Sequence, residues 1–290
     1  MSRARVSVIW VLFAAVLYLI TAEGLQHWVD LPSFGNVGFT LVFVLFAVVH
    51  CAACAGWKRT GLFFIITALI SYLLEEIGVR TGWVYGLYHY SDMLGPKAGH
   101  VPVLIPLAWF MMVYPSWVVA RSLLRGVEAR TVRGLVALAL VAAMVMTAWD
   151  MVMDPPMAAA GNWTWEQGGG YFGVPFQNYV GWLMTTFWVY LGAGLLLEKW
   201  AAGVKKSLAM MPVVVYGVYG LSYVTPRRFP ELQLVAVFAM VLPAFVALLQ
   251  MTAQRATASF ERVNGHDVKG VRGTGHGGDS QEKLKVARGA

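Results

Sequence analysis

Apolar runs of roughly 18 residues or more recur along this chain, each long enough to cross a hydrocarbon core about 30 Å thick. Lipid offers no water to pair backbone N–H and C=O groups, so a spanning segment must be a helix or part of a closed barrel. These runs are too long and too continuously apolar for the alternating strands of an outer-membrane barrel. Composition points the same way. Hydrophobic residues make up 58% of the 290 and charged residues 13%, whereas a soluble domain carries about 25% charged residues. The fold expected is an all-α polytopic membrane protein.

Eight transmembrane helices are expected, over about 6–24, 37–55, 61–79, 101–120, 134–153, 177–197, 208–225 and 231–250. The positive-inside rule checks this without depending on the count. With the N-terminus inside, the segments 1–5, 56–60, 121–133, 198–207 and the tail from 251 hold 18 of the 22 Lys and Arg. The exceptions are Arg80, Lys97, Arg227 and Arg228, and the last two, in a very short turn, fit this topology worst. A multi-pass protein of the cell (cytoplasmic) membrane with both termini cytoplasmic is therefore expected. Basic loops account for the net charge of +7, so no nucleic-acid partner is called for. Arg3 and Arg5 before the first apolar run look like the start of a signal peptide. No small-x-small cleavage site follows, and an uncleaved span is expected. Residues 1–254 are read as the membrane domain and 255–290, rich in glycine and mixed charge, as a disordered cytoplasmic tail.

Two loops, 80–100 and 154–176, are packed with Gly, Tyr and Trp and resemble each other. Glu75 and Glu76 end one helix, and Gly82-Trp83, Tyr85-Gly86 and Tyr88 follow before Val101-Pro102. Asp150 and Asp154 end another, and Gly161, Trp163, Trp165 and Tyr171-Phe172-Gly173 follow before Val174-Pro175. A Trp lies seven residues past each Pro, at Trp109 and Trp182. Two helix–loop–helix units of like orientation read as a parallel repeat around a shared interface.

The carboxylates are the sharpest chemical signal. At about 1.5 Å per residue, Glu75 and Asp150 lie roughly 21 and 24 Å up their helices, in the outer third of the bilayer. Asp154 is one turn beyond Asp150 on the same face, with Pro155-Pro156 expected to end the helix there. An ionisable group inside a span costs a few kcal/mol and is a functional candidate by default. The plainer alternative is that these acids sit at headgroup level, cap loop amides or pair with Arg80. Tyr72, Trp83, Tyr85, Tyr88, Tyr90, Trp109, Trp149, Trp163, Trp165, Tyr171 and Trp182 fall near the same level. Interfacial belts explain part of that set; rings beside the acids could also steady a transient cation. Asn178, Trp182 and Thr185 share one stripe of the sixth span.

Other features weigh against other chemistries. No His-rich cluster or Glu-x-x-His pair suggests di-iron, and no Gly-x-Gly-x-x-Gly or P-loop suggests a nucleotide cofactor. The Asp150-to-Asp154 spacing stands without the partner that a Mg-diphosphate site needs. Cys51 and Cys54 read as small packing residues. His89 and Asp92 could together hold a metal, though a hydrogen-bonded loop pair is the commoner outcome. Neither metal nor cofactor is expected.

Glu75-Glu76-x-Gly78-x-x-x-Gly82, Tyr85-Gly86-x-Tyr88-x-Tyr90, Leu94-Gly95-Pro96 and Val101-Pro102-x-x-Ile105-Pro106-x-x-Trp109 form one ordered block. Asp150-x-x-x-Asp154-Pro155, Gly161-x-Trp163-x-Trp165 and Gly170-Tyr171-Phe172-Gly173-Val174-Pro175-x-x-Asn178-x-x-Gly181-Trp182 form a second. Together, over about 60–200, they resemble the carotenoid-biosynthesis membrane proteins that include the carotenoid 1,2-hydratases, which act on γ-carotene or bisanhydrobacterioruberin. The resemblance implies a carbon–oxygen lyase that adds water to the terminal C1,C2 double bond of an acyclic ψ-end, giving a tertiary 1-hydroxy carotenoid without a cofactor. The implied partners are a lipophilic carotenoid, water, membrane lipid and other enzymes of the carotenoid pathway.

Alkene chemistry then suggests roles. Asp150 or Asp154 would protonate C2, and Glu75 or Glu76 would position and deprotonate the water that meets the C1 cation, or the reverse. Tyr72, Trp83, Tyr85, Tyr88, Trp109, Trp149, Trp163, Trp165, Asn178 and Trp182 are the substrate-binding candidates. Three rivals stand beside this reading. A lycopene-cyclase-type isomerase would make the same protonation, although the Pro-x-Glu-type motif of small membrane cyclases is missing. A proton-coupled transporter also carries intramembrane acids, but nearer the midplane. A structural carotenoid-binding protein would hold a pigment without changing it.

Overall fold

The computed structural model describes residues 2–26, 28–32, 34–127, 131–197, 206–225 and 229–253. The tail expected from 255, and Arg227 and Arg228, lie outside the described residues. The chain divides into a unit Met1–Met251, which carries everything discussed below, and a unit Thr252–Ala290 of which only Thr252 and Ala253 are described.

Among the described residues, seven helices are long and apolar enough to cross a membrane: α1 (Arg3–Leu25), α2 (Gly35–Ala55), α3 (Trp57–Thr81), α4 (Leu104–Leu123), α5 (Val132–Ala159), α6 (Phe176–Leu196) and, last in the chain, Leu232–Ala253. Between α6 and that last helix come α7 (Lys206–Ala209) and α8 (Met211–Ser222); Leu232–Ala253 is α9. The chain is thus an all-α polytopic membrane protein. The eighth span expected, at 208–225, is a shorter apolar helix, Ser207–Ser222. It buries Val213, Val215, Tyr216 and Tyr219 against neighbouring helices. At Gly220 the chains come so close that an added Cβ would lie 2.7 Å from Met240 Cβ. A helix enclosed by protein in this way has no need of the full bilayer length.

The third helix shows how lipid reverses the usual pattern. Leu62, Ile65, Leu69, Leu73 and Ile77 are exposed at intervals of three or four residues, while Thr60, Thr67, Ser71 and Glu75 are buried. Apolar side chains face hydrocarbon at little cost, and the polar ones turn inward to find partners. Gly82 stops the helix in a left-handed conformation (φ 70°), its N–H bonding to Gly78 O.

Helix α5 begins on the Thr131 side chain, which accepts from Gly134 N at 3.0 Å. It does not end at Pro155-Pro156 as expected but runs on to Ala159. Pro155 has no N–H for the carbonyl four residues back, Met151. Tyr171 Oη donates to that carbonyl at 3.1 Å instead, so a loop hydroxyl replaces the missing helix bond.

The two aromatic loops meet. β1 (Tyr88–Tyr90) and β4 (Trp163–Trp165) pair antiparallel, with Tyr88 opposite Trp165 and Tyr90 opposite Trp163. The ladder continues at Glu166 N to Leu87 O, 3.0 Å, and Ser91 N to Asn162 O, 3.0 Å. β2 (Lys97–Ala98) and β3 (Val101–Pro102) make a second, smaller ribbon. The β1–β4 ribbon thus joins the α3–α4 connection to the α5–α6 connection. Gln177 Nε2 adds a tie by donating to Gly82 O at 2.8 Å and Trp83 O at 2.6 Å.

Candidate active site

Beneath this ribbon lies a cavity of about 230 Å³. About 10–15 Å³ suffices for one water. The ends of α1, α3, α5 and α8 and the starts of α2, α4 and α6 all contribute to its wall. Glu75, Asp150 and Asp154, from two separate helices, line it together, and each is at most 3% exposed.

Glu75 is held by three donors. Tyr88 and Tyr90 both donate to Oε2, the latter at 2.8 Å, and Trp109 Nε1 donates to Oε1 at 3.0 Å. The strand β1 explains why two tyrosines reach one oxygen. Side chains two apart on a strand share a face, and Tyr88 and Tyr90 are buried while His89 between them is exposed. Burial, and then the charge of Glu75, push the phenols of Tyr85, Tyr88 and Tyr90 well above the usual phenol range. They remain donors throughout the ordinary pH range.

Asp150 and Asp154 meet over one amide. Asn178 Nδ2 lies 2.9 Å from Asp150 Oδ2 and 2.8 Å from Asp154 Oδ2. Trp163 Nε1 donates to Asp154 Oδ1 at 2.6 Å. Two carboxyl groups this close avoid like-charge repulsion when they share a proton. Each cluster therefore takes its indole donor from its own motif block, Trp109 for Glu75 and Trp163 for Asp154.

Aromatic rings close the remaining walls. Trp109 and Trp182 stack at 4.1 Å with planes 13° apart, and Tyr88 packs on Trp165 at 4.8 Å. Tyr85 donates to or accepts from Thr185 Oγ1 at 2.9 Å. Its ring lies so near α6 that a Cβ at Gly181 would stand 2.6 Å from Tyr85 Cδ1 and 2.4 Å from Val84 O. Met111, Met112, Met153 and Met157 supply an adaptable apolar side to the same space.

Four of the sequence-derived candidates stand apart from the cavity. Glu76 points away. Its carboxylate pairs with Arg80 Nε at 2.7 Å, accepts from His100 N at 2.9 Å and lies 2.9 Å from His100 Nδ1. It fastens the β2–β3 turn to α3, which is the capping and Arg80-pairing alternative raised above. Tyr72 donates to Ala98 O in the same ribbon. Trp83 is 82% exposed. Trp149 is fully buried behind the wall, 4.5 Å from Tyr219 and 5.3 Å from Tyr216. One residue of rotation, about 100° on a helix, separates Trp149 from Asp150 and Glu76 from Glu75. His89 and Asp92 do not come together either. His89 pairs with Glu166 at 2.5 Å, and Asp92 pairs with Lys97 at 2.9 Å; Lys97 holds the Asp92 carboxyl below its usual range.

Tyr90 stands in the first motif block but not among the substrate-binding candidates, although its two-residue spacing from Tyr88 is the signal of a shared strand face. Other lining residues have no motif to mark them. Glu23, Gln26, Asn36, Thr40, Tyr219 and Tyr223 also line the cavity. Glu23, Thr40, Tyr219 and Tyr223 fall in spans that hydropathy alone identifies, and Gln26 and Asn36 lie just outside the expected spans 6–24 and 37–55. Tyr219 and Tyr223, four apart on or just past α8, bring their hydroxyls to 3.2 Å; that i, i+4 spacing was the only available sign.

A family model described as carotenoid biosynthesis protein matches residues 35–254. The chain is 37% identical over 193 residues to the bisanhydrobacterioruberin hydratase of Haloarcula japonica. That stretch is 63% of this chain and spans 61% of the relative's length. No solved structure matches. The family match takes in the three buried acids and every aromatic donor that holds them, and the chain belongs to the carotenoid biosynthesis protein family.

Proposed function

We propose that the protein is a carotenoid hydratase that adds water to the terminal C1,C2 double bond of an acyclic end group, giving a tertiary alcohol. One observation carries this reading: Glu75, held by three donors, shares a buried, ring-lined cavity with an Asp150–Asp154 pair set to share a proton. Hydration of an alkene needs those two states at once, an acid to give a proton and a base to receive one. The relative's name agrees with the same chemistry.

In the proposed reaction the Asp150–Asp154 pair gives its proton to C2. The π pair forms the new C–H bond and leaves a tertiary cation at C1. Ring faces of Trp165, Tyr88, Trp109 and Trp182 shield that cation. Water adds at C1, and its surplus proton passes to Glu75, whose carboxyl group Tyr88, Tyr90 and Trp109 hold in place. The proton then returns to the aspartate pair through the cavity. Asn178 positions both aspartates. No electron transfer is involved, so the step balances with water alone.

A polyene of this class is far longer than the cavity, so only its end would enter, and the rest would lie among the methionines and in lipid. We place the site end of the bundle on the outer face of the cell membrane, with both termini cytoplasmic, as the basic loops favour. The test is expression in bacteria that make acyclic carotenoids, followed by mass analysis of the pigments. Product heavier by one water supports the reading. A cyclised product of unchanged mass would point to the isomerase rival, and an unchanged pigment would end the proposal.

A further inference from the structure

The mechanism leaves open how water, and not merely lipid, reaches a cation made inside a hydrophobic bundle. Among the described residues that line the cavity, Gln26 alone is exposed, and Glu23, Asn36, Pro156 and Met157 are among those half-buried. A residue that both lines a cavity and meets solvent marks its mouth. That mouth lies where the end of α1 and the start of α2 face the end of α5. Elsewhere the rings of Tyr85, Tyr88, Trp109 and Trp182 are buried, while Ala108 on α4 and the ribbon residues Trp163 and Trp165 are half-buried.

The mouth is polar, and its polarity continues inward. Asn36 Nδ2 donates to Asn162 Oδ1 at 2.9 Å. Asn162 precedes Trp163, whose indole N–H donates to Asp154 at 2.6 Å. The paired hydroxyls of Tyr219 and Tyr223 line the same side. The apolar lining is concentrated on α4, at Leu104, Ile105, Met111 and Met112.

We propose that Glu23, Gln26 and Asn36 form a water port serving the acid pair, while the polyene enters along the apolar α4 side. This rests on the hydratase reading. Its chemical consequence is a partition. Once the acid's hydron is on C2, the C1 cation has two exits. Water can form the C–O bond and give up a proton to a carboxylate. Alternatively, the cation can lose a hydron from C2 or a C1 methyl to a carboxylate, regenerating an alkene. In heavy water the second exit returns alkene labelled with deuterium. A port that admits water freely favours the first exit.

The experiment uses the full-length protein in membranes with an acyclic carotenoid in heavy water, and measures labelled alkene against alcohol. Gln26→Phe, which plugs the mouth, is expected to raise that ratio on the order of tenfold, about 1.4 kcal/mol in the competition. Gln26→Ser, which leaves it open, should stay near wild type. Continued labelling by Gln26→Phe shows that it is folded and still protonates. Should that variant fail to accumulate, Gln26→Tyr, which fills the mouth with a ring that keeps a polar tip towards solvent, is read on the same ratio. An unchanged ratio in the plugged variants, or a raised KM with the ratio unchanged, overturns the port and assigns the mouth to the polyene. If wild type yields neither alcohol nor labelled alkene, the hydratase reading itself fails, and the port with it.

Discussion

Trp109 and Trp182 lie face to face at 4.1 Å, each seven residues past the proline of its own motif block. Matching positions of the two helix–loop–helix units therefore touch at the wall of the cavity. One of the pair, Trp109, also donates to Glu75 at 3.0 Å. Trp109→Phe keeps a ring in the stack and removes the donor, so it should lower hydration more than it lowers the melting temperature. Trp182→Ala empties the stack and should cost about 3–5 kcal/mol of stability. Thermal melts in detergent beside product assays separate the two effects.

The acids give the most direct test. Asp150→Asn, Asp154→Asn and Glu75→Gln should each reduce hydration by about 10²- to 10⁴-fold at normal membrane abundance. Glu76→Gln should keep turnover within about twofold, because its carboxylate faces Arg80 and His100, and lower stability by at most about 1 kcal/mol, since those contacts are solvent-exposed. Equal losses from Glu75→Gln and Glu76→Gln would contradict the assignment.

Gly181 is a packing test. A Cβ there would stand 2.4 Å from Val84 O and 2.6 Å from Tyr85 Cδ1. Gly181→Ala must push the 82–88 segment off α6, at a cost of about 1–3 kcal/mol. Tyr85 and Tyr88 would move with it, so activity should fall together with the melting temperature. A variant that melts like wild type would show that the segment yields freely.

The tyrosines set an alkaline limit. Tyr88 and Tyr90 are held above the usual phenol range by burial and by Glu75. The folded chain then binds more protons than the unfolded chain once pH passes the unfolded phenol value of about 10. Their contribution is complete below that value and is lost as pH rises beyond it. Melting temperature measured against pH should drop above about pH 10, and the Tyr88→Phe/Tyr90→Phe double variant should show a shallower drop.

Much of this could be read from the chain before its structure was known. Long apolar runs identified the helices, and the twin motif blocks identified the two connections that form the roof. What escaped was rotation about each helix. Glu75 belongs to the inward stripe of Thr67, Ser71 and Gly78, at steps of three or four, and Glu76 does not. That stripe is faint because it is polar on the inside and apolar towards lipid, the reverse of a soluble amphipathic helix. Extended loops hid a second kind of information. The alternation of Tyr88, His89 and Tyr90 has meaning only once β4 supplies a partner strand. Glu23 and Gln26 carried no motif at all, because their part in the cavity depends on how α1 packs against the rest.

The pairing of Tyr88–Tyr90 with Trp163–Trp165 bears on how the protein is made. A nascent chain inserted only as far as α4 possesses Glu75 and both tyrosines that grip it, yet has neither aspartate nor the strand that covers them. In the proposed reaction, protonation of the polyene waits until translation has delivered the fifth and sixth helices, so a half-synthesised chain would release no reactive carbocation into the surrounding bilayer.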